Sequence, residues 1–125
     1  MRCSARSDGR DRGSVSVEAV IVLPVFLLVV YAILQAGLYA HACAVAQAAA
    51  QDGARAGAAF GSSADQGRAA AQAVLSARVA GEDWAVTTQS DATTLTIAVS
   101  GHAMSIVPGL TLEVRESASM PWEVP

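Results

Sequence analysis

The residue whose chemistry is most out of place in this sequence is Glu18, a carboxylate that directly precedes a long apolar run. An acidic residue at the edge of an apolar helix is costly, and it indicates either a functional partner or a position in wet lipid headgroups. Such a partner would carry a positive charge, since an ion pair offsets part of the cost of removing a carboxylate from water. Glu18 is therefore the first candidate functional residue, and contact with headgroup water is the alternative.

Few other residues could bind a metal or catalyse a reaction. His41 and Cys43 are two positions apart and diverge on a helix, so together with His102 they predict no metal site. The sequence contains no G-x-S-x-G motif and no Walker-type phosphate loop. The adjacent Glu82 and Asp83 are typical of a solvated turn. We therefore expect no cofactor and no enzymatic activity.

The element that must position Glu18 is the apolar run that follows it. Residues 19–34 read AVIVLPVFLLVVYAIL, and no charged residue lies between Glu18 and Asp52. A helix over Val17–Gly37 would be about 31 Å long at ~1.5 Å per residue, which matches a bilayer core of ~30 Å. The run predicts one transmembrane helix. Within it, we expect Pro24 to cause a kink and not a break, because neighbouring groups in a membrane can satisfy the freed carbonyl.

Charge is distributed unevenly along the chain, and its distribution predicts an orientation. Residues 1–13 carry four arginines and two acids, whereas residues 41–125 carry four arginines and eight acids. A basic segment before an apolar span tends to stay in the cytoplasm, so we expect a single-pass protein of the cell membrane with a cytoplasmic N-terminus and an extracytoplasmic C-terminal part. The net charge of −3 and the lack of a basic patch predict no nucleic-acid partner.

A cleaved secretory signal peptide is an alternative interpretation of the same segment. Ala40-His41-Ala42 before Cys43 has the A-x-A pattern of a cleavage site, but the apolar run exceeds the usual ~7–15 residues and starts beside an acid. Cys3 and Cys43 lie on either side of the apolar run and would not pair with each other. Cys43 is either a buried thiol or a partner for another chain.

Small residues recur every four positions beyond the apolar run, and they predict a helix that continues outside the membrane. Side chains at this spacing share one face and allow close approach of another element. The three rows are Ala42, Ala46, Ala50, Ala54 and Ala58; Ala36, Ala40, Ala44 and Ala48; and Gly53, Gly57 and Gly61.

The rest of the chain predicts a second helix followed by strands. Ser63-Ala-Asp-Gln66 has the pattern of a capping box that opens a helix, and Gly81 is expected to end it. Alternating apolar residues predict strands over residues 84–89, 94–100 and 110–114, with turns at residues 90–92 and at Pro108-Gly109.

These elements define an α+β fold class. We expect a long N-terminal transmembrane helix that extends outside the membrane, then a second helix and a small antiparallel sheet. The predicted divisions are a basic leader over residues 1–13, the helix and its alanine-rich extension over residues 14–60, and a small extracytoplasmic head over residues 61–125.

Residues 13–18, Gly-Ser-Val-Ser-Val-Glu, stand between the basic leader and the apolar run, and this arrangement resembles the processing site of type IV prepilins. The resemblance implies that a prepilin-type peptidase cuts between Gly13 and Ser14, which makes Glu18 the fifth residue of the mature chain. It also implies that Glu18 pairs with the N-terminal ammonium of a neighbouring subunit during assembly. Glycine suits such a cut because it lets the peptidase approach the backbone closely.

A closer resemblance is to the TadE-like family, the pilin-like proteins of tight-adherence pilus systems. It rests on GSVSVEAVIVLPVFLLVVYAILQAGLYAH at residues 13–41 and on the alanine-rich AAAQDGARAGAAFG at residues 48–61. It implies a pilin-like minor subunit or assembly factor of a Tad-type pilus or a related secretion apparatus. The implied partners are a prepilin-type peptidase, other pilin-like subunits, the pilus assembly machinery and the membrane.

A second function stays open at this point. The chain could be a membrane-tethered extracytoplasmic binding module whose head recognises a ligand and which never enters a filament. An uncut leader would favour this alternative, whereas the spacing of Gly13 and Glu18 favours the pilin-like reading.

Overall fold

The protein is described by a computed structural model that covers the backbone of residues 8–124 and the side chains of residues 14–124. It has the predicted α+β fold class, with a long apolar N-terminal helix, a second helix and a three-stranded antiparallel sheet. The elements are α1 (Asp8–Ala58), α2 (Ala64–Ala77), β1 (Gly81–Ser90), β2 (Thr94–Ala103) and β3 (Leu112–Pro121).

The chain forms two compact units, and the first is the part of α1 that ends at Leu34. From Ser14 to Leu34 every side chain is exposed except that of Val30, which is half-buried. The helix is long and apolar enough to cross a membrane. It continues through Pro24. The kink at this residue stays a prediction.

The second unit begins at Gln35 and contains the rest of α1, α2 and the sheet. The strand order is β1-β2-β3, with antiparallel pairing throughout, so β2 is the central strand. Alternate residues of β2 are buried, as expected for a sheet that packs on one face only. The largest fully buried side chains are Leu95, Ile97, Val45, Val99 and Val114.

One of the three predicted rows of small residues lies in this core. Its alanines occupy every fourth position from Ala42 to Ala58, and all five are at most 2% exposed. The second row does not share this role, because Ala36, Ala40 and Ala44 are exposed and Ala48 is half-buried. The core therefore lies along a single stripe of α1, and the alanines that form most of this stripe let the helix lie close to its neighbours.

Part of the glycine row forms the contact between α1 and α2. A Cβ atom placed on Gly53 would lie 2.7 Å from the carbonyl oxygen of Gly67 in α2, and one placed on Gly57 would lie 3.0 Å from the Cα atom of Gly67. The two helices therefore touch through backbone atoms at this crossing, as small residues allow. Gly61 is exposed, has a φ of +79° and follows the end of α1, so it takes no part in this contact.

The start of α2 has the predicted capping box, but its end was predicted wrongly. The Gln66 amide donates to Ser63 Oγ at 3.3 Å, and the Ser63 amide donates to Gln66 Oε1 at 3.2 Å. The helix ends at Ala77 with Arg78 as its C-cap, before the expected stop at Gly81. Gly81 is instead the first residue of β1, where a Cβ atom would collide with the backbone of His102 on β2.

The third strand differs most from the expectation. A strand over residues 110–114 was predicted, but β3 begins at Leu112 and runs to Pro121. Leu110 belongs to the preceding turn, because its amide donates to the carbonyl of Val107 at 3.2 Å. The later half of β3 was missed because its inward positions include Glu116 and Ala118, which blur the alternation of apolar and polar residues.

Candidate functional site

Glu18 lies in the first unit, on the exposed surface of α1. Ser14 and Val22 precede and follow it by one helical turn on the same face. Within residues 14–124, no side chain forms an ion pair with Glu18. On this face, the carboxylate therefore has a polar neighbour towards the N-terminus and an apolar neighbour towards the C-terminus.

The sequence limits which cation could approach Glu18. The chain has no lysine, and no arginine occurs between Arg12 and Arg55. Arg55 is 37 positions after Glu18 in the sequence and belongs to the second unit. If the chain were cut after Gly13, the ammonium of Ser14 would be the nearest positive charge that the chain itself could offer.

The proposed cleavage bond lies inside helix α1. The backbone is helical from Asp8, so the Gly13–Ser14 bond lies less than two turns from the start of the helix. Most of the basic leader, residues 1–7, falls outside the described residues, as do the side chains of residues 8–13. Helix ends fray readily, so a short unwinding would expose this bond to a peptidase. Cleavage after Gly13 stays a prediction.

Gln35 has a structural role that the sequence did not reveal. It is the first residue of the second unit, and it is only 8% exposed. Its Oε1 accepts the backbone N–H of Ile106 at 3.0 Å, and its Nε2 donates to the carbonyl of Met104 at 3.2 Å. A buried amide needs such partners. The loop between β2 and β3 is therefore hydrogen-bonded to Gln35, which directly follows the apolar run in the sequence.

That the chain has no metal site stays a prediction from its sequence. Within the described residues, no three His, Cys, Asp or Glu side chains come together as metal ligands would. Cys43 is a free, half-buried thiol on α1. His102 lies on β2, where its Nδ1 is 3.8 Å from Asp83 Oδ2 at an exposed position.

Tyr39 lies on α1 one turn before Cys43, just beyond the apolar run. A hydrogen bond with Cys43 raises the pKa of the Tyr39 phenol, and burial and the Glu116 carboxylate add to this effect. The phenol therefore stays protonated at neutral pH. An uncharged, amphipathic tyrosine suits the headgroup region of a membrane.

The comparisons with known proteins found one match, which covers the N-terminal part of the chain. No curated protein and no solved structure matches the chain. The family model described as TadE-like protein matches residues 13–55, about a third of the 125 residues. This segment contains Gly13, Ser14 and Glu18, the whole exposed apolar run, and most of the buried alanine stripe. Over residues 13–55 the chain thus matches the TadE-like family, which confirms the resemblance seen in its sequence.

Proposed function

We propose that this protein is a pilin-like minor subunit or assembly factor of a Tad-type pilus or a related secretion apparatus, anchored in the membrane by α1. The TadE-like match supports an association with pilin-like subunits and pilus machinery. The long exposed apolar helix supports a membrane anchor. The finer role rests on one observation, which is the position of Glu18.

Glu18 is an exposed carboxylate at the start of an apolar helix, and residues 14–124 give it no ion-pair partner. While the chain is alone in a membrane, headgroup water can solvate this carboxylate. When the helix packs among other subunits, that water is displaced, and an unpaired carboxylate becomes costly. A cation from a neighbouring chain would offset this cost and set the axial register between the two helices.

Processing supplies such a cation. Cleavage after Gly13 by a prepilin-type peptidase creates a free ammonium on Ser14, in a region without arginine or lysine. The same ammonium is one turn from Glu18 of its own chain, so pairing within and between chains would compete. Packing favours the pairing between chains, because it adds helix contacts that the pairing within one chain does not make.

The test is the effect of Glu18→Ala and Glu18→Gln on assembly. Both variants should be made, inserted and cut as in the wild type, because the twelve Val, Ile, Leu and Phe residues between Val20 and Leu34 contribute roughly −4 to −7 kcal/mol to insertion. Both should fail to support piliation or cross-linking to pilin-like partners. Asp52→Asn is the matched control, since Asp52 is an exposed acid on the same helix, and this variant should behave as the wild type.

The alternative function is a membrane-tethered extracytoplasmic binding module. It is favoured by an open depression of about 480 Å³ on the outward face of the sheet, lined by short hydroxyl side chains and by Arg115. If Glu18→Ala supports piliation and cross-linking as the wild type does, the glutamate is only a solvated residue. The binding module would then be the better account.

A further inference from the structure

The loop between β2 and β3, residues 104–111, exposes apolar side chains that the core does not use. Met104, Ile106, Val107 and Leu110 are each 39–41% exposed, and no residue of the loop is charged. Single exposed apolar residues are common, but a cluster of this kind in an uncharged loop marks an interaction surface.

Hydrogen bonds fix the position of this loop. Gln35 accepts from the Ile106 amide at 3.0 Å and donates to the Met104 carbonyl at 3.2 Å. The Ser105 hydroxyl also lies 3.3 Å from Gln35 Oε1. In the sequence, Gln35 directly follows Leu34, the last residue of the apolar run.

Several backbone groups of the loop are hydrogen-bonded within the loop or to Gln35. The Val107 amide donates to Ser105 Oγ at 3.1 Å, and the Leu110 amide donates to the Val107 carbonyl at 3.2 Å. The second bond closes a turn with Pro108 and Gly109 at its centre, and Gly109 has the φ of +80° that such a turn requires. Each of these bonds satisfies a group that would be costly to bring near lipid, where no water can replace a missing partner.

The charges beside the loop limit how deeply it could enter a membrane. Glu82 and Asp83 line an open depression of about 370 Å³ together with the loop. Carboxylates stay in the hydrated headgroup layer, so only the apolar tips of the loop would reach the edge of the hydrocarbon. Partition of apolar surface, and not charge attraction, would drive the contact, and anionic lipids would weaken it.

We propose that the β2–β3 loop is a second membrane contact, which enters the headgroup region of the leaflet where α1 emerges and holds the head against the lipid surface. This inference rests on the proposed anchoring of α1 in the membrane. Its occupant is the bilayer and not another protein, because the loop is uncharged, exposes apolar side chains and is hydrogen-bonded to Gln35, the residue that follows the apolar run in the sequence. Gln35 acts as the positioning residue for this contact.

Depth-dependent fluorescence quenching of the full chain in phosphatidylcholine vesicles tests the proposal. A single environment-sensitive label is attached at Ile106→Cys, at Phe26→Cys within the apolar run, or at Phe60→Cys. Phe60 is a matched control because it is an exposed apolar residue that follows the far end of α1. Cys3→Ser and Cys43→Ala remove the native thiols, and spin-labelled lipids serve as the quencher.

We expect strong quenching at position 26, intermediate quenching at position 106, and at least several-fold weaker quenching at position 60. Quenching at position 26 with none at position 106 would overturn the loop proposal and leave the anchor intact. No quenching at position 26 would overturn the anchor itself. The label at position 106 could instead be shielded from water only at a high ratio of protein to lipid, without quenching by the lipids. That result would show that another chain covers the loop, and it would also overturn the proposal.

Two variants distinguish a loss of contact between the loop and the membrane from unfolding of the head. Ile106→Ser with Val107→Ser, followed by a label at Leu110→Cys, should lose the lipid quenching of the loop, because both side chains are partly exposed and contribute little to the core. Gln35→Ala should reduce quenching at position 106 and leave position 26 unchanged. Near-ultraviolet circular dichroism of Trp84 and Trp122 reports whether the head stays folded. Retained loop quenching in the folded double variant would contradict the proposal.

Discussion

A Cβ atom on Gly53 would lie 2.7 Å from the carbonyl oxygen of Gly67 and 2.9 Å from the Cβ atom of Ala71. The contact joins α1 to α2 through backbone, so neither helix can move aside without disturbing the core. Gly57 meets the same glycine one turn later along α1. Three glycines without side chains thus form the crossing of α1 and α2, beside the alanine stripe of α1 that packs in the core.

Gly53→Ala should therefore destabilise the head. Alanine is the better helix former by ~0.5–1 kcal/mol, but overpacking of a tight contact costs ~1–3 kcal/mol, so the net change in unfolding free energy is unfavourable. Thermal unfolding of the full chain in detergent measures it. Gly37→Ala is the matched control on the same helix, because nothing lies within 4 Å of its Cβ position. An unchanged melting temperature for Gly53→Ala would contradict the close crossing.

Gln35→Leu should loosen the β2–β3 loop. The substitution removes the acceptor of the Ile106 amide and the donor to the Met104 carbonyl, and each buried group left without a partner costs ~1–3 kcal/mol. Hydrogen exchange at the Ile106 amide should become faster, while exchange in the middle of β2 stays slow. Gln47→Leu is the control, since Gln47 is an exposed amide on the same helix. Equal exchange at Ile106 in both variants would count against the role of Gln35.

The orientation of the chain is a separate prediction from the charge distribution. A phosphatase reporter fused after residue 125 should be active, and a reporter that works only in the cytoplasm should be inactive, because the arginine-rich leader stays inside. Replacement of Arg2, Arg6, Arg10 and Arg12 by glutamate should weaken this bias. The opposite pattern of reporter activity in the wild type would show that the head is cytoplasmic.

Features set by neighbouring residues were predictable from the sequence. The capping box at Ser63 and Gln66 depends on a spacing of three residues, and the buried stripe from Ala42 to Ala58 follows the helical repeat. The apolar run needed only composition and length. In each case the interacting groups, or the face that they share, can be read from a short stretch of sequence.

Features set by distant partners were not predictable. Gln35 was visible as the only strongly polar interruption of an apolar stretch, but its partners are 69–71 positions away. Glycine often follows the last residue of a helix, which is why Gly81 was expected to end α2. Glycine is instead required here because β1 approaches the backbone of His102 too closely for a Cβ atom. Glu18 is a third case, since the partner that we propose for it belongs to another chain.

The processing site is best examined through its glycine. Gly13→Val should leave an uncut chain, because the added side chain hinders close approach of the peptidase to the backbone. Gly9→Val is the control, since it alters a glycine of the leader outside the Gly13–Glu18 spacing and should be cut normally. Cleavage of Gly13→Val at the wild-type rate would contradict the assigned position.

The mature N-terminus, measured by mass spectrometry of the protein purified from cells that contain a prepilin-type peptidase, tests the central claim most directly. The account predicts a chain that begins at Ser14, with Glu18 as its fifth residue and a free ammonium one turn away. A chain that retains Met1–Gly13 would contradict the proposed processing and favour the tethered binding module. A chain that begins at Cys43 would show that the apolar run is a removed signal peptide, and would contradict the account of a membrane-anchored pilin-like subunit.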